Sequence, residues 1–418
     1  MNPFATAFLI VNSIAIFLLP RRKAFLPLLL GATYMTLGQG IKVGPFHFPI
    51  IRLIIGAGLV RVMIRQEKIA GRFNELDWFM ISWGMWSLIS SFFHESLRTA
   101  LIFRLGLVYN IWGIYFLMRV FLESMDEVVK LGKVLGILIV PVAIEMIHEK
   151  LFHYNIFSVF GGVGIHPAMR HGSVRAQGPF GHSILAGTIG AVTLPIIIGC
   201  WRYYRYYAVL GVLGCLTMIA TCKSSGPILS MLVGLAALLM WNYRERMRLL
   251  RWLALVGYIL LDILMKAPPY YLMARVDLAG GSTGWHRAAL IQSAIEHISE
   301  WWLAGTDYTR HWMATGVSWS SNHTDITNYY IYMGVIGGVP LMIFLILMFA
   351  KGFSYVGHVL RERSDLSNQE QFVIWSLGSS LFAHAATCIS VSYFDQSFVF
   401  LFLVLAGISS IWSTTSPR

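Results

Sequence analysis

The chain has 418 residues, of which 56% are hydrophobic and 12% are charged. A soluble domain carries roughly 25% charged residues, so this composition excludes a cytosolic enzyme, a disordered chain and a secreted disulfide scaffold. The charge is also strongly basic, with a formal net charge of +12. In so apolar a chain, a basic excess is typical of membrane topology rather than of nucleic-acid binding. No nucleic-acid partner is predicted.

Apolar segments of membrane-spanning length recur along the whole chain. A helix needs about 20 apolar residues to cross the hydrocarbon core, and residues 1–20, 224–243 and 396–417 form such segments without one Asp, Glu, Lys, Arg or His. Further candidates are 24–41, 43–60, 78–93, 99–118, 134–147, 183–200, 206–222, 252–265, 326–350 and 371–394. This pattern predicts an all-α polytopic membrane protein with 12 or 13 transmembrane helices.

The basic residues set the predicted orientation, because cytoplasmic loops retain Lys and Arg. Most of the 32 basic residues lie in alternate loops. These loops are 21–23, 61–77, 119–133, 201–205, 242–251 and 351–370, together with the C-terminal tail. They are predicted to face the inside, so that the N-terminus is outside and the C-terminus inside.

Two external loops, 148–182 and 266–325, are too long to be turns, and loops of this length are unusual unless they are functional. We therefore predict three regions: transmembrane helices over 1–265, with 148–182 external, a large external loop over 266–325, and transmembrane helices over 326–418.

A helix is predicted within the large loop, over residues 285–303. Ile291, Ile295, Ile298 and Trp302 recur at helical spacing and predict its buried face. Arg287 lies one turn before Ile291 on the same face. A guanidinium there needs an anionic partner, which is a substrate, a structural carboxylate or a lipid headgroup.

Motifs for metals and nucleotides are missing from the sequence. Cys200, Cys215, Cys222 and Cys388 all fall in apolar segments without metal-ligand spacing, and the 13 histidines form no HxxxH or HxH pair. No GxxxxGK[ST] loop is present. We predict no metal site and no cofactor.

Basic and imidazole groups gather on the predicted outer side. They are Arg98, Arg104, Arg170, His171, Arg175, Lys223, Arg275, Arg287, His311 and His323. Arginines at this boundary match the oxygens of a phosphate or pyrophosphate, and they stabilise a leaving pyrophosphate without a metal. A neutral histidine can take a proton from an attacking hydroxyl. The alternative for each cation is contact with lipid headgroups. The clustering favours a phosphate- or pyrophosphate-binding site.

Four segments carry a family resemblance. They are RAQGPFGHSILAGTIGAVTLPI (175–196), TCKSSGP (221–227), GWHRAALIQSAIEHISEWWLAG (284–305) and NHTDITNYYIYMGVIGGVP (322–340). Their order and spacing over roughly 170–345 resemble the O-antigen ligase and polymerase (Wzy/WaaL-like) superfamily. The most specific part is a histidine that opens a helix leading into the GVIGG turn, after an arginine-bearing helix in the large loop.

This resemblance implies an inverting, metal-independent glycosyltransferase with a GT-C-like bundle in the bacterial inner membrane. The active site would face the periplasm beneath the large loop. The donor would be a glycan on undecaprenyl pyrophosphate, and the acceptor a second glycan or lipid A-core, with membrane lipids and a chain-length regulator as further partners. Three residues match the family's catalytic positions. Arg175 and Arg287 would bind the pyrophosphate, and His323 would orient or deprotonate the acceptor hydroxyl.

Five more residues are predicted to bind substrate: Lys223, Arg104, Arg98, His286 and Asp325. Many family members have Ser-Arg-Gly where this chain has Ser-Ser-Gly at 224–226, so that Lys223 is the nearest cation. His286 is an additional ionisable group beside the matched arginine. If His323 and Asp325 were both helical, their side chains would face apart, which argues against a dyad. Asp307 carries less weight.

Two reactions stay open within the superfamily. A polymerase extends a lipid-linked glycan, whereas a ligase transfers it to lipid A-core or to a protein. The run HPAMRHGSVRAQGPFGH (166–182) resembles capsule and exopolysaccharide polymerases and favours a polymerase. A lipid-linked oligosaccharide flippase is the alternative from another class, although no internal repeat is evident. A non-catalytic assembly scaffold is the third possible function.

Overall fold

Helices occupy the predicted apolar segments along the whole chain. The computed structural model describes residues 1–275, 283–363 and 365–415. Arg418, which the charge pattern assigns to the inner tail, lies outside them. The described residues form fifteen α-helices, α1 (Pro3–Leu18), α2 (Leu26–Tyr34), α3 (Ile50–Arg65), α4 (Glu75–Ser90), α5 (Leu97–Phe121), α6 (Met125–Phe152), α7 (Ser183–Gly199), α8 (Arg205–Thr221), α9 (Ser225–Leu239), α10 (Met247–Leu264), α11 (Gly284–Glu296), α12 (Ile298–Trp301), α13 (Tyr329–Glu362), α14 (Asn368–Thr387) and α15 (Phe398–Thr415).

Each helix except α11 and α12 overlaps one predicted spanning segment, and these two lie in the large loop. Among the described helices, α5, α13 and α15 are long and apolar enough to cross a membrane. The chain is therefore a mostly helical membrane protein.

Three two-stranded hairpins correct the prediction of an all-α chain. They are β1 (Gly40–Val43) with β2 (Phe46–Pro49), β3 (Ala168–Arg170) with β4 (Ser173–Arg175), and β5 (Gly316–Val317) with β6 (Ser320–Thr324). The first hairpin interrupts the predicted segments 24–41 and 43–60. Its turn forms at Gly44, where φ is +58° and only glycine is unstrained, followed by Pro45.

One hydrophobic core joins the N-terminal and C-terminal helices. The almost wholly buried α7 packs against α8, α9 and α14, while α13 packs against α4, and α15 against α5. A smaller apolar cluster in the large loop includes Leu290, Ala294 and Trp312, and it also contains Ile331 of α13. The loop is thus attached to the beginning of α13.

Ion pairs hold the loops on the predicted inner side. The side chains of Arg119 and Asp77 are fully buried, with 3.0 Å between Nε and Oδ1, and the Tyr115 hydroxyl donates to the same carboxylate at 2.7 Å. Arg21 and Glu123 form another pair at 2.6 Å. Every Lys or Arg ion pair among the described residues lies on this side.

We expect Arg119→Met to lower the free energy of unfolding by about 3–5 kcal/mol, because Asp77 then stays buried without its charged partner. Denaturant unfolding in detergent micelles measures this loss. Arg363→Met is the matched control, since its partner Asp365 is 63% exposed and exposed pairs contribute about 1 kcal/mol or less. Equal losses in the two variants would contradict the expectation.

Candidate functional site

A cavity of about 890 Å³ lies where the ends of several helices meet the large loop. Its walls come from the beginning of α5, the β3–β4 hairpin, the N-terminal ends of α7 and α9, the large loop, the first turns of α13 and the connection between α14 and α15. The charge pattern assigns all of these segments to the outer side. The cavity therefore lies at the end of the bundle opposite the ion-paired loops.

Five of the predicted site residues line this cavity: Arg104, Arg175, Arg287, His323 and Asp325. The other three do not.

Arg98 is exposed on the outer surface of α5. Lys223 is exposed in the turn between α8 and α9, where the next residue, Ser224, faces the cavity instead. His286 is buried, and its Nε2 lies 3.3 Å from the carbonyl oxygen of Asp325. It supports the segment after β6.

Four arginines face the cavity: Arg104, Arg170, Arg175 and Arg287. Among the described residues none of them forms an ion pair, and the buried Nε atoms of Arg104, Arg175 and Arg287 have no hydrogen-bond partner. Burial lowers the pKa of Arg175 and of Arg287, and the charge of Arg170 lowers both further, while the charge of Asp325 partly opposes the shift at Arg287. Arginine keeps its charge at pH 7 despite such shifts. The cavity is therefore cationic: its four arginines outnumber its three carboxylates, those of Glu95, Asp307 and Asp325, and no described carboxylate lies within ion-pair distance of any of the four.

Buried polar side chains fix the backbone of residues 175–182. The Glu149 carboxylate accepts the N–H of Gly178 at 2.9 Å, and Asp395 accepts that of Gly181 at 2.7 Å. Gly178 has φ +56°, which favours glycine. The two carboxylates thus fix the conformation of this loop and hold Arg175 and His182, at its two ends, in place.

His182 lies at the end of this loop and lines the cavity. Its Nδ1 accepts the N–H of Ile184 at 3.1 Å and so caps α7. Burial, and then the charge of Arg175, lower the pKa of His182 to about 4. The ring is therefore neutral at pH 7 with its proton on Nε2, which makes it a hydrogen-bond donor. No sequence pattern marks His182 as a helix cap or a site residue, because histidine is not a typical N-cap residue.

His323 lies on strand β6, so the prediction that it opens a helix was wrong. Helix α13 begins at Tyr329, because Asn328 caps it by accepting two backbone N–H groups. The helical geometry that argued against joint action of His323 and Asp325 does not apply, since both line the cavity. Burial lowers the pKa of His323, and the charge of Asp307 partly opposes this. The ring is neutral at pH 7.

The indole ring of Trp319 lies beside His323, with 5.5 Å between the ring centroids. Trp319 lines the cavity and is 75% exposed. An exposed indole face beside a neutral imidazole is an apolar surface that suits the ring of a sugar.

The helix predicted over 285–303 is broken at His297, and its predicted buried face was wrong. Leu290, Ala294 and Trp301 are buried, whereas Ile295 and Trp302 are exposed. The Trp301 indole donates to the carbonyl oxygen of Ala294 at 2.9 Å, so this large ring turns inward against α13. Gly334 of α13 allows the close approach, because a Cβ atom there would clash with the Trp301 ring.

A histidine–aspartate pair that sequence reasoning missed lies beside Arg104. His94 Nδ1 lies 2.6 Å from Asp307 Oδ1, and the other carboxylate oxygen accepts the N–H of Glu95 at 2.9 Å. Arg104 contacts the Nε2 of His94 and donates to the carbonyl oxygen of Ile336. Burial raises the pKa of Asp307, but the hydrogen bonds from Glu95 and His94 outweigh it and lower the pKa overall.

We expect Asp307→Ala to lower the free energy of unfolding by about 1–3 kcal/mol, because it leaves His94 and the Glu95 N–H without their acceptor. The Asp307 pKa is lowered by folding, so this contribution is present above about pH 4 and is lost as the pH falls further. Thermal unfolding of the wild type and the variant at pH 7 and at about pH 2, below the ordinary pKa of an aspartate, measures both effects. A difference that does not shrink at the lower pH would contradict the assignment.

The GVIGG turn breaks helix α13. Gly337 and Gly338 have non-helical dihedrals, with φ +77° at Gly338, where a Cβ atom would clash with the backbone of Leu303. The carbonyl oxygen of Gly337 accepts the Trp86 indole N–H at 2.7 Å, and that of Ile336 accepts Arg104. The break therefore leaves these two carbonyl oxygens available to accept hydrogen bonds from side chains of neighbouring helices.

Comparison with protein-family models and with curated protein sequences finds no match to this chain. The family resemblance of residues 170–345 is therefore a prediction from the motifs, and a functional assignment depends on the chemistry of the cavity.

Proposed function

We propose that the chain is a membrane glycosyltransferase of the O-antigen ligase and polymerase superfamily. In this proposal it polymerises oligosaccharide repeat units carried by undecaprenyl pyrophosphate at the periplasmic face of the bacterial inner membrane. One observation carries the proposal. Four arginines that form no ion pair among the described residues share one cavity with two neutral histidines and are more numerous there than the carboxylates, whereas cations on the opposite side of the bundle form ion pairs.

The alternating topology supports an external site. If each helix except α11 and α12 crosses the membrane once, the bundle has 13 spans and resembles the GT-C architecture. All segments that line the cavity then lie on one side, at the membrane–water boundary. A flippase would need its binding site near the midplane, so this arrangement favours an enzyme.

The size and lining of the cavity suit a lipid-linked sugar pyrophosphate. Ligand sites commonly measure roughly 300–1,000 Å³, and this cavity has about 890 Å³. Phe103, Ile184 and Phe394 add apolar surface beside the arginines. Phe103 and Phe394 are about half exposed, at 48% and 56%. In the proposal these side chains contact the first isoprene units while the pyrophosphate binds the arginines.

The chemistry follows from these positions. The acceptor hydroxyl attacks the anomeric carbon of the donor sugar from the face opposite the pyrophosphate, so that the configuration inverts. The bond between the anomeric carbon and the pyrophosphate oxygen breaks, and its electron pair leaves with the pyrophosphate. Arg175 and Arg287 stabilise the developing charge, His182 donates a hydrogen bond from Nε2, and His323 takes the proton of the acceptor hydroxyl.

Incubation of the purified protein with a lipid-linked repeat unit alone tests the proposal. We expect glycans of increasing length on undecaprenyl pyrophosphate, resolved by gel electrophoresis or mass spectrometry. Product that forms only after lipid A-core is added would identify a ligase. Transfer of the repeat unit across a vesicle membrane without any new glycosidic bond would identify a flippase and overturn the proposal.

A further inference from the structure

Two histidines and a glutamate come together in the large loop, outside the lining of the cavity. His297, Glu300 and His311 each offer a ligand atom, and these atoms lie within 4.8 Å of one another. The Nε2 of His311 is already 3.0 Å from Glu300 Oε2. We infer that these three side chains form a binding site for a zinc ion that is separate from the proposed catalytic cavity.

Two supporting hydrogen bonds orient the ligands. The Nδ1 of His297 lies 2.8 Å from the carbonyl oxygen of Ser293, so this nitrogen carries the proton and leaves Nε2 free to bind a metal. The Trp312 indole donates to Glu300 Oε2 at 3.1 Å. Metal-binding histidines commonly donate their other ring N–H to a carbonyl, and metal-binding carboxylates are hydrogen-bonded as well. Both features are present here before a metal binds.

The donor set selects the metal. Two imidazoles and one carboxylate suit zinc, which prefers nitrogen with oxygen or sulfur and accepts water as its fourth ligand. Calcium and magnesium require mainly oxygen ligands, so the site discriminates against them. Bonds of about 2.0–2.1 Å in a tetrahedron place the ligand atoms about 3.4 Å apart. The His311 and Glu300 side chains are 49% and 35% exposed, so they can rotate the remaining distance.

The fold creates this site from residues that have no metal-binding spacing in the sequence, where we predicted no metal. The helix break puts His297 after α11, and a turn at Arg310–Trp312 brings His311 back beside it. A bound zinc would connect the two ends of the segment 298–310. This segment contributes Asp307 and Thr309 to the cavity, so the metal would be a structural clamp on one wall of that cavity.

Zinc content measures the site directly. The full-length protein, purified in detergent without a histidine tag, is dialysed with zinc and then against metal-free buffer, and its zinc is determined by mass spectrometry. We expect one zinc per chain and a Tm that rises with zinc concentration, because the metal binds the folded state. In His311→Ala and in Glu300→Gln, each of which removes one ligand, we expect about tenfold or greater loss of zinc affinity.

His358→Ala is the matched control. His358 and Glu362 form a similar exposed pair, 3.4 Å apart, to which the described residues add no third ligand. This variant should bind zinc as the wild type does. The inference is overturned if the wild type retains no zinc, or if either ligand variant retains as much as the control. Because neither Glu300 nor His311 lines the cavity, the zinc result is independent of whether the protein polymerises glycans.

Discussion

Arg287→Ala should reduce the rate of glycan polymerisation by about 10²–10³-fold, which is the typical effect of removing one group that stabilises transition-state charge. Arg287 projects into the cavity from α11 and forms no ion pair among the described residues; burial lowers its pKa, and the charge of Asp325 only partly opposes this. Its charge is therefore available to the leaving pyrophosphate. Single-turnover kinetics with a lipid-linked repeat unit measure the loss.

Two further variants separate charge from geometry at this position. Arg287→Lys keeps the positive charge but cannot bind two phosphate oxygens with a planar fork, so we expect a rate between those of the wild type and Arg287→Ala. Lys42→Ala removes an exposed cation from the β1–β2 hairpin, outside the cavity, and should leave the rate unchanged. If Arg287→Ala polymerises as fast as Lys42→Ala, Arg287 does not act on the substrate.

His323→Ala should lower the rate by about 10²–10⁴-fold, the usual contribution of a general base. The base acts in its neutral form. Since burial lowers the pKa of His323 below its ordinary value of 6.5, the wild-type rate should be constant near pH 7 and fall only as the pH drops through that lowered pKa. The pH–rate profile of the wild type and the rates of the variant test both statements.

The fall in rate at acidic pH, which is the acid limb of the pH–rate profile, is the diagnostic feature for His323. His323→Gln retains a hydrogen-bonding side chain but cannot take a proton, so its remaining activity should lose the limb. His47→Ala, an exposed histidine of the β1–β2 hairpin, should retain both the rate and the limb. An unchanged profile in His323→Gln would show that another group takes the proton.

Helix positions could be predicted from the sequence because the length of an apolar segment is a local property. The hairpin at 40–49 was missed because its strands are only four residues long and their Ile, Val and Phe residues merge with the neighbouring apolar segments, so that only the glycine and proline residues mark the turn. The buried face of α11 was predicted wrongly for a related reason. Hydrophobic periodicity identifies an apolar stripe but not whether protein or lipid covers it, and here Ile295 is exposed.

The site could be predicted in part. Arg175, Arg287 and His323 were chosen from their motifs, and the fold does bring them to one cavity. The pairing of His94 with Asp307 joins residues 213 positions apart, and no local pattern contains that information. The same applies to Lys223 and Ser224, where the direction of two adjacent side chains depends on a left-handed turn, with φ +48° at Lys223.

The break in α13 has an electrostatic consequence for Arg104. The short helical segment 329–336 ends at the glycines, and the end of a helix carries a partial negative charge on its free carbonyl oxygens. Arg104 donates to one of these, the oxygen of Ile336. Peptide dipoles thus hold this guanidinium in position without a carboxylate in direct contact with it, and the Asp307 charge acts on it only across the His94 ring. A carboxylate in the place of the Ile336 carbonyl would hold the arginine equally well but would repel an incoming anion more strongly.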